Sequence, residues 1–220
     1  MTRPRQFDLI CFDWDGTLFD STALITRCIQ QAVVDVGGAR PTDAAAAWVI
    51  GMALTPALAS AAPDVPPEKY PALAARYRRH YLALQNDLSL FDGVLEMLGA
   101  LRQRHHWLAV ATGKSRRGLN DVLAARELNG LFDGSRTADE TAGKPNPLML
   151  HELMREFGAA PERTLMIGDT THDLQMAANA GCASIGVSYG AHEPGEFAAL
   201  APRHVAHSVA DLRQWLQERA

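Results

Sequence analysis

Cysteine is scarce in this chain of 220 residues, and the three present, Cys11, Cys28 and Cys182, lie far apart with no C-x-x-C pair. That spacing excludes a disulfide frame and a cysteine-rich zinc site; it fits small buried hydrophobes in a reducing compartment. An excess of one charge sign is missing too. The net charge is −4, with acids and bases interspersed, so there is no electrostatic footprint for nucleic acid. No apolar run reaches membrane-spanning length. The basic start, Met1 to Gln6, runs into a short strand that ends in acids, which is not the pattern of a signal peptide. Repeats are absent, and so are low-complexity tracts beyond some alanine richness. The expectation is a cytoplasmic protein, monomer or homodimer, with no nucleic-acid or membrane partner.

What is present is a hydrophobic content of 47%, ample for a sizeable core. The chain is organised around Phe7 to Ser21. An apolar run, Phe7 to Phe12, reads as a buried parallel strand and stops at two acids one residue apart, Asp13 and Asp15. Gly16 and Thr17 follow, and glycine lets backbone amides approach a ligand closely. Ligands of open α/β sheets bind at such strand ends. One carboxylate is a candidate nucleophile and the other a proton carrier, with the amides for phosphoryl oxygens. A solvated Asp-x-Asp-Gly turn is the alternative for these residues taken alone.

Ser21 reads as the N-cap of a helix to about Val36, closed by Gly37-Gly38. Thr42–Ile50, Thr55–Ala62 and Glu68–Asn86 are further helical segments, broken by Gly51-Met52 and by Pro63, Pro66 and Pro67. Strand patterns are missing from Ser21 to Asp87. Beyond Leu88 strands alternate with helices: strands at 107–112, 131–137, 163–168, 183–187 and 204–206, helices at 94–104, 116–125, 147–157, 174–180, 197–200 and from about 209. The predicted fold is α/β: a Rossmann-like parallel sheet with helices on both faces. A small all-helical unit, residues 21–87, is inserted into a core of residues 1–20 and 88–220, and it is suited to gate a site as a lid.

Three more polar clusters fall at strand or loop ends. Thr112 ends one strand and is followed by Gly113; hydroxyl and amide can both donate to a phosphoryl oxygen, although a threonine there is often only a cap. Lys144 is held between Gly143 and Pro145, in Lys144-Pro145-x-Pro147, and can neutralise a phosphoryl group and an acid together. Asp169 and Asp173, four residues apart where a strand leads into a helix, suit a hard cation. Two converging carboxylates repel by ~4 kcal/mol at ~4 Å and an effective dielectric near 20. One lysine does not offset four such acids, whereas Mg²⁺ does. His172 reads as a surface or supporting histidine rather than a ligand.

Asp13-Trp14-Asp15-Gly16-Thr17-Leu18-Phe19-Asp20-Ser21 resembles the first signature of the haloacid dehalogenase superfamily, in particular its phosphatases similar to phosphoglycolate phosphatase. Thr112, Lys144-Pro145-x-Pro147 and Gly168-Asp169 through Asp173 resemble the other three motifs, in the family's order. The resemblance implies a helical cap at residues 21–87, and Gly51-Met52-Ala53-Leu54 is similar to its substrate-facing loop. It implies an Mg²⁺-dependent phosphatase for a small phosphate monoester, best matched by 2-phosphoglycolate, working through an aspartyl-phosphate. Asp13 would be the nucleophile and Asp15 the acid and base, with Thr112 and Lys144 stabilising charge. Gly16, Thr112, Gly113 and Lys144 would contact substrate. Asp13, Asp169 and the Asp15 backbone carbonyl would hold the metal, with Asp173 a direct or water-mediated partner. Because Asp15 is present, dehalogenase chemistry is disfavoured. Phosphonate hydrolases of the family lack that acid and use a cap lysine, and here Lys69 alone is available. A phosphomutase, or a phosphatase for a sugar phosphate or nucleotide, stays open. A non-enzymatic phosphoacceptor module is remote, because such domains lack the helical insertion. Lys114 and Arg116 are placed where they can also reach inward.

Overall fold

The computed structural model describes residues 5–85, 88–124, 127–128 and 130–220. Six parallel strands form the sheet: β1 (Leu9–Phe12), β2 (Trp107–Thr112), β3 (Gly134–Thr137), β4 (Thr164–Gly168), β5 (Ala183–Val187) and β6 (His204–Ala206), in the order β3-β2-β1-β4-β5-β6. β1 is central, with Phe12 in register with Val110 on one side and Ile167 on the other. Successive side chains of a strand point to opposite faces. Ile10 and Phe12 accordingly enter a core shared with α5 (Val94–Gln103), α6 (Arg116–Leu123) and α9 (Val209–Arg219). Leu9 and Cys11 enter the opposite core, under α7 (Leu148–Phe157) and α8 (Thr171–Asn179). All four residues of β1 are fully buried. Each large apolar side chain so buried contributes about 1.5–3 kcal/mol, which makes β1 a rigid platform.

Between β1 and β2 the chain makes α1 (Thr22–Asp35), α2 (Asp43–Trp48), α3 (Leu54–Ala61) and α4 (Tyr70–Leu84). These helices bury a third hydrophobic cluster of their own, including Ile29, Leu58 and Leu73. Two linkers join them to the sheet and pair with one another: Asp20 N–H donates to Ser89 O at 3.0 Å and Phe91 N–H to Leu18 O at 3.0 Å. The expected boundary at Asp87, and the expected helix ends at Asn86 and Ala125, fall outside the described residues. Among the described residues no helix is long and apolar enough to cross a membrane, and the three cysteines are free thiols.

Some boundaries differ from expectation. β1 starts at Leu9 rather than Phe7, and β3 at Gly134 rather than residue 131. α8 starts at Thr171 rather than Leu174, because Thr170 and Asp173 form a reciprocal capping box that adds a first turn. Ser21 precedes α1 but makes no side-chain cap; its hydroxyl is committed elsewhere.

Candidate active site

The sheet delivers the predicted residues to its carboxyl edge. Asp13 follows β1 and keeps the ladder, its N–H donating to Ile167 O at 2.9 Å. Thr112 is the last residue of β2. Asp169 follows β4, Asp173 lies in the first turn of α8, and Lys144 sits in the loop between β3 and α7. Asp13, Lys144, Asp169 and Asp173 are all buried.

Lys144 Nζ stands 2.7 Å from Asp13 Oδ1 and 2.6 Å from Asp173 Oδ1. The capping box fixes the other side of Asp173: its Oδ2 accepts from Thr170 Oγ1 at 2.7 Å and Thr170 N at 3.2 Å. Asp169 Oδ1 accepts from Thr17 Oγ1 at 2.9 Å, and its Oδ2 from Ala191 N at 2.8 Å. Burial drives the Asp13 pKa up to about 7, against the pull of Lys144 and with a further push from Asp173 and Asp15. Burial also raises Asp169 well above the carboxylate range, reinforced by Asp13 and Asp173. Lys144 pays desolvation too, yet the two carboxylates hold it above the ordinary lysine value.

Asp13, Asp169 and Asp173 each offer an oxygen within 4.8 Å of the others. Three carboxylates against one ammonium leave the cluster short of positive charge. Asp13 Oδ2 is buried without a hydrogen-bond partner. An all-oxygen donor set of this kind fits a hard divalent cation.

Asp15 is held apart from that cluster. Trp14, fully buried, packs against Phe19 and Phe132 with ring centroids 5.7 and 6.3 Å away, and so turns the chain between the two acids. Asp15 Oδ1 accepts from Ser21 Oγ at 2.7 Å, and Oδ2 lies 3.0 Å from Lys114 Nζ. Sequence reasoning missed Ser21 in this role because serine before a helix signals a cap. Thr17 was equally hidden, since its partner Asp169 lies 152 residues away.

Gly16 requires a correction. Its N–H donates to Phe19 O at 2.8 Å, so it is not an amide turned toward a ligand. Glycine is needed there for space: φ is +82°, and a Cβ would fall 2.2 Å from Asp169 Oδ2. Thr112 Oγ1 accepts from Lys114 N at 3.2 Å, which leaves its own hydrogen to donate. A Cβ on Gly113 would meet Met52 O at 2.5 Å, so the Gly51-Met52 loop of the helical unit lies directly on the β2 loop. His172 Nε2 and His192 Nε2 both bond Trp48 O at 2.9 Å, and burial lowers the His192 pKa. These histidines tie α2 to the sheet domain, in line with the supporting role expected of His172.

A cavity of ≈ 640 Å³ opens between the two units, with Asp13, Asp15, Thr112 and Lys114 on one side and Ile29, Met52, Tyr77 and Tyr81 on the other. The family model described as haloacid dehalogenase-like hydrolase matches residues 10–187. A phosphoglycolate phosphatase of Vibrio vulnificus (strain YJ016) is 34% identical over 222 residues, covering 94% of this chain and 95% of that protein. A 5'-nucleotidase of Pseudomonas aeruginosa is 33% identical over 220 residues, covering 96% of each. The crystal structure of a predicted phosphoglycolate phosphatase from Haemophilus somnus 129pt superposes with a TM-score of 0.83 at 27% identity, covering 96% of this chain and 99% of that one. With the four motif segments gathered at one sheet edge and the match extending from β1 to β5, the chain belongs to the haloacid dehalogenase-like hydrolases.

Proposed function

We propose that this hydrolase is an Mg²⁺-dependent phosphatase that cleaves a small phosphate monoester, best 2-phosphoglycolate, through an aspartyl-phosphate on Asp13. The family and the phosphatase names of its relatives make it a phosphoric monoester hydrolase. One observation carries the mechanism. Two neighbouring carboxylates have been given different environments: Asp13 joins a buried cation-deficient cluster, while Asp15 faces the cavity between a hydroxyl and an ammonium. Such separation supports the reading in which nucleophile and proton carrier are different groups.

Asp13 attacks phosphorus in line, and the ester oxygen departs with a proton from Asp15. Asp15 then takes a proton from the water that attacks the aspartyl-phosphate, and inorganic phosphate leaves. Lys144, the Thr112 hydroxyl, and the Trp14, Asp15 and Gly113 amides bear on the transferring oxygens; Gly16 serves by leaving room. Asp13, Asp169 and the Asp15 carbonyl would hold the metal, with Asp173 bonding it directly or through water while also steadying Lys144. Mg²⁺ held there would supply charge neutralisation for the phosphoryl group. Residues 21–87 act as the cap that excludes water, hinged on the paired linkers.

The cavity also has room for a larger leaving group, and with the nucleotidase relative this favours a nucleoside monophosphate as second reading. A panel of phosphate monoesters assayed with Mg²⁺ tests both. The wild type should release free phosphate over many turnovers, and Asp13→Asn should fold normally and release none. Full activity in Asp13→Asn sinks the reading; a phosphomutase would release little phosphate and need a bisphosphate activator.

A further inference from the structure

The chain contains three lysines, and two of them, Lys114 and Lys144, are at this site. The third, Lys69, donates to Val36 O on the helical unit. Lys144 is sealed, its side chain 0% exposed, and serves Asp13 and Asp173. Lys114 differs. Its side chain keeps 11% exposure and lines the cavity. Its ammonium stands 3.0 Å from Asp15 Oδ2 and donates to Tyr81 Oη at 3.0 Å, lying 4.7 Å from the Tyr81 ring centroid. Asp15 and Lys114 belong to the sheet domain, whereas Tyr81 comes from α4 of the helical unit.

An ammonium carries three N–H donors. Two are accounted for by Asp15 and Tyr81. The Tyr81 hydroxyl, having accepted from Lys114, still has its own hydrogen to give. Two donors therefore converge on the cavity next to Asp15, one cationic and one neutral. The lining mixes apolar residues such as Ile29 and Met52 with the charged Arg78, Arg117, Asp121 and Asp139, while the Lys114 side chain is largely buried. Burial of the ammonium strengthens a charge-assisted hydrogen bond and makes an unfilled donor costly.

Resting on the phosphatase reading, we propose that Lys114 and Tyr81 form a subsite for a second anionic group of the substrate, a carboxylate or a second phosphate, beyond the ester oxygen. Lys114 is shared between Asp15 and that group. Exchanging one carboxylate partner for another costs the ammonium little, whereas stripping it for a neutral group costs a buried ion pair. An ester with a neutral leaving group leaves Lys114 on Asp15 and the third donor unfilled. An anionic one draws Lys114 outward and frees Asp15 to handle the proton. Because Tyr81 is a cap residue, the subsite is complete only when cap and core are together, so the second anion also favours closure.

Binding to the Asp13→Asn protein, measured by calorimetry, tests this without turnover. The probes are 2-phosphoglycolate, ethylene glycol bisphosphate, 2-hydroxyethyl phosphate as the neutral match in size, and adenosine 5'-monophosphate. The Asp13→Asn protein should bind 2-phosphoglycolate or the bisphosphate at least about tenfold tighter than 2-hydroxyethyl phosphate, and which of the two it prefers identifies the anion. Adding Lys114→Met should bring that ratio close to one, and Lys114→Arg should restore part of it. Tyr81→Phe, which removes one hydroxyl from a folded cap, should lower the ratio without abolishing it. An unchanged ratio in Lys114→Met, or an equal loss of affinity for every probe, overturns the subsite; so does a preference for the nucleotide over both probes that carry a second anionic group. The phosphatase reading fails separately, if the wild type turns over no ester with Mg²⁺ while the binding ratio is as stated.

Discussion

Lys144 bridges Asp13 and Asp173, its Nζ 2.7 Å from one carboxylate and 2.6 Å from the other, with both acids buried. The bridge connects the end of β1 to the first turn of α8. Removing the ammonium leaves three acids facing one another without compensation. Lys144→Met should therefore cost about 3–5 kcal/mol of stability in metal-free buffer. Mg²⁺ should recover more of that loss in the variant than it adds to the wild type, because the cation is the remaining source of positive charge. Denaturant titrations with and without EDTA measure both quantities. A variant as stable as wild type in EDTA would show that the bridge carries no strain-free compensation of the acids.

Ser21 separates a local role from a tertiary one. Its hydroxyl bonds Asp15 rather than the α1 backbone. Ser21→Ala should lower kcat by about tenfold, the value of one hydrogen bond to a charged group, while leaving helix content and melting temperature nearly unchanged. A drop in stability with unaltered kcat would return Ser21 to the capping role.

Gly16→Ala adds a single methyl group at φ +82°, where the new Cβ would lie 2.2 Å from Asp169 Oδ2. Asp169 is held by Thr17 and Ala191 and has little freedom to yield. The substitution should depress turnover by at least about a hundredfold and weaken Mg²⁺ binding, at a stability cost of roughly 1–3 kcal/mol. Isothermal titration with Mg²⁺ and a thermal melt check the two parts independently.

His106 supplies a pH signature remote from the site. It is buried just before β2 with Nδ1 2.9 Å from Phe7 O, and burial lowers its pKa to about 4 despite that bond. The folded protein keeps the ring neutral, whereas the unfolded chain takes up a proton below about pH 6.5. Stability should be fully present above about 6.5, fall by up to ~3 kcal/mol on acidification, and level off below about 4. Histidine ring titration by NMR should find one resonance with a midpoint near 4. Its absence would contradict the burial argument.

Three of the four motif segments were legible because each combines a short apolar strand with a polar terminus, a pattern that needs no knowledge of neighbours. Asp13, Thr112 and Asp169 stand at such strand ends, Lys144 is read from the Gly143-Lys144-Pro145 turn, and with the family resemblance all four point to one site. The helical insertion was equally legible, since strand alternation stops at Ser21 and resumes past Leu88. Less visible was the start of α8, where Asp173 reads as a site residue before it reads as half of a capping box with Thr170. The Gly16 amide was misassigned because a glycine after two acids suggests an exposed N–H, whereas the turn folds that N–H back to Phe19 O.

The sequence by itself determined the parallel α/β core, the inserted helices and the acids at strand ends, because backbone periodicity and strand termination are local properties. Only the tertiary structure decided the partners of those acids. Ser21 and Lys114 turn to Asp15, Thr17 turns to Asp169, and Tyr81 reaches from the cap to Lys114. Most of these contacts join residues far apart in the chain, and hydrogen-bond and ion-pair choices depend on distances of a few ångströms that no linear spacing encodes. Charge compensation inside a buried cluster is a property of the assembled volume, and it exists only once the sheet has brought the segments to one edge.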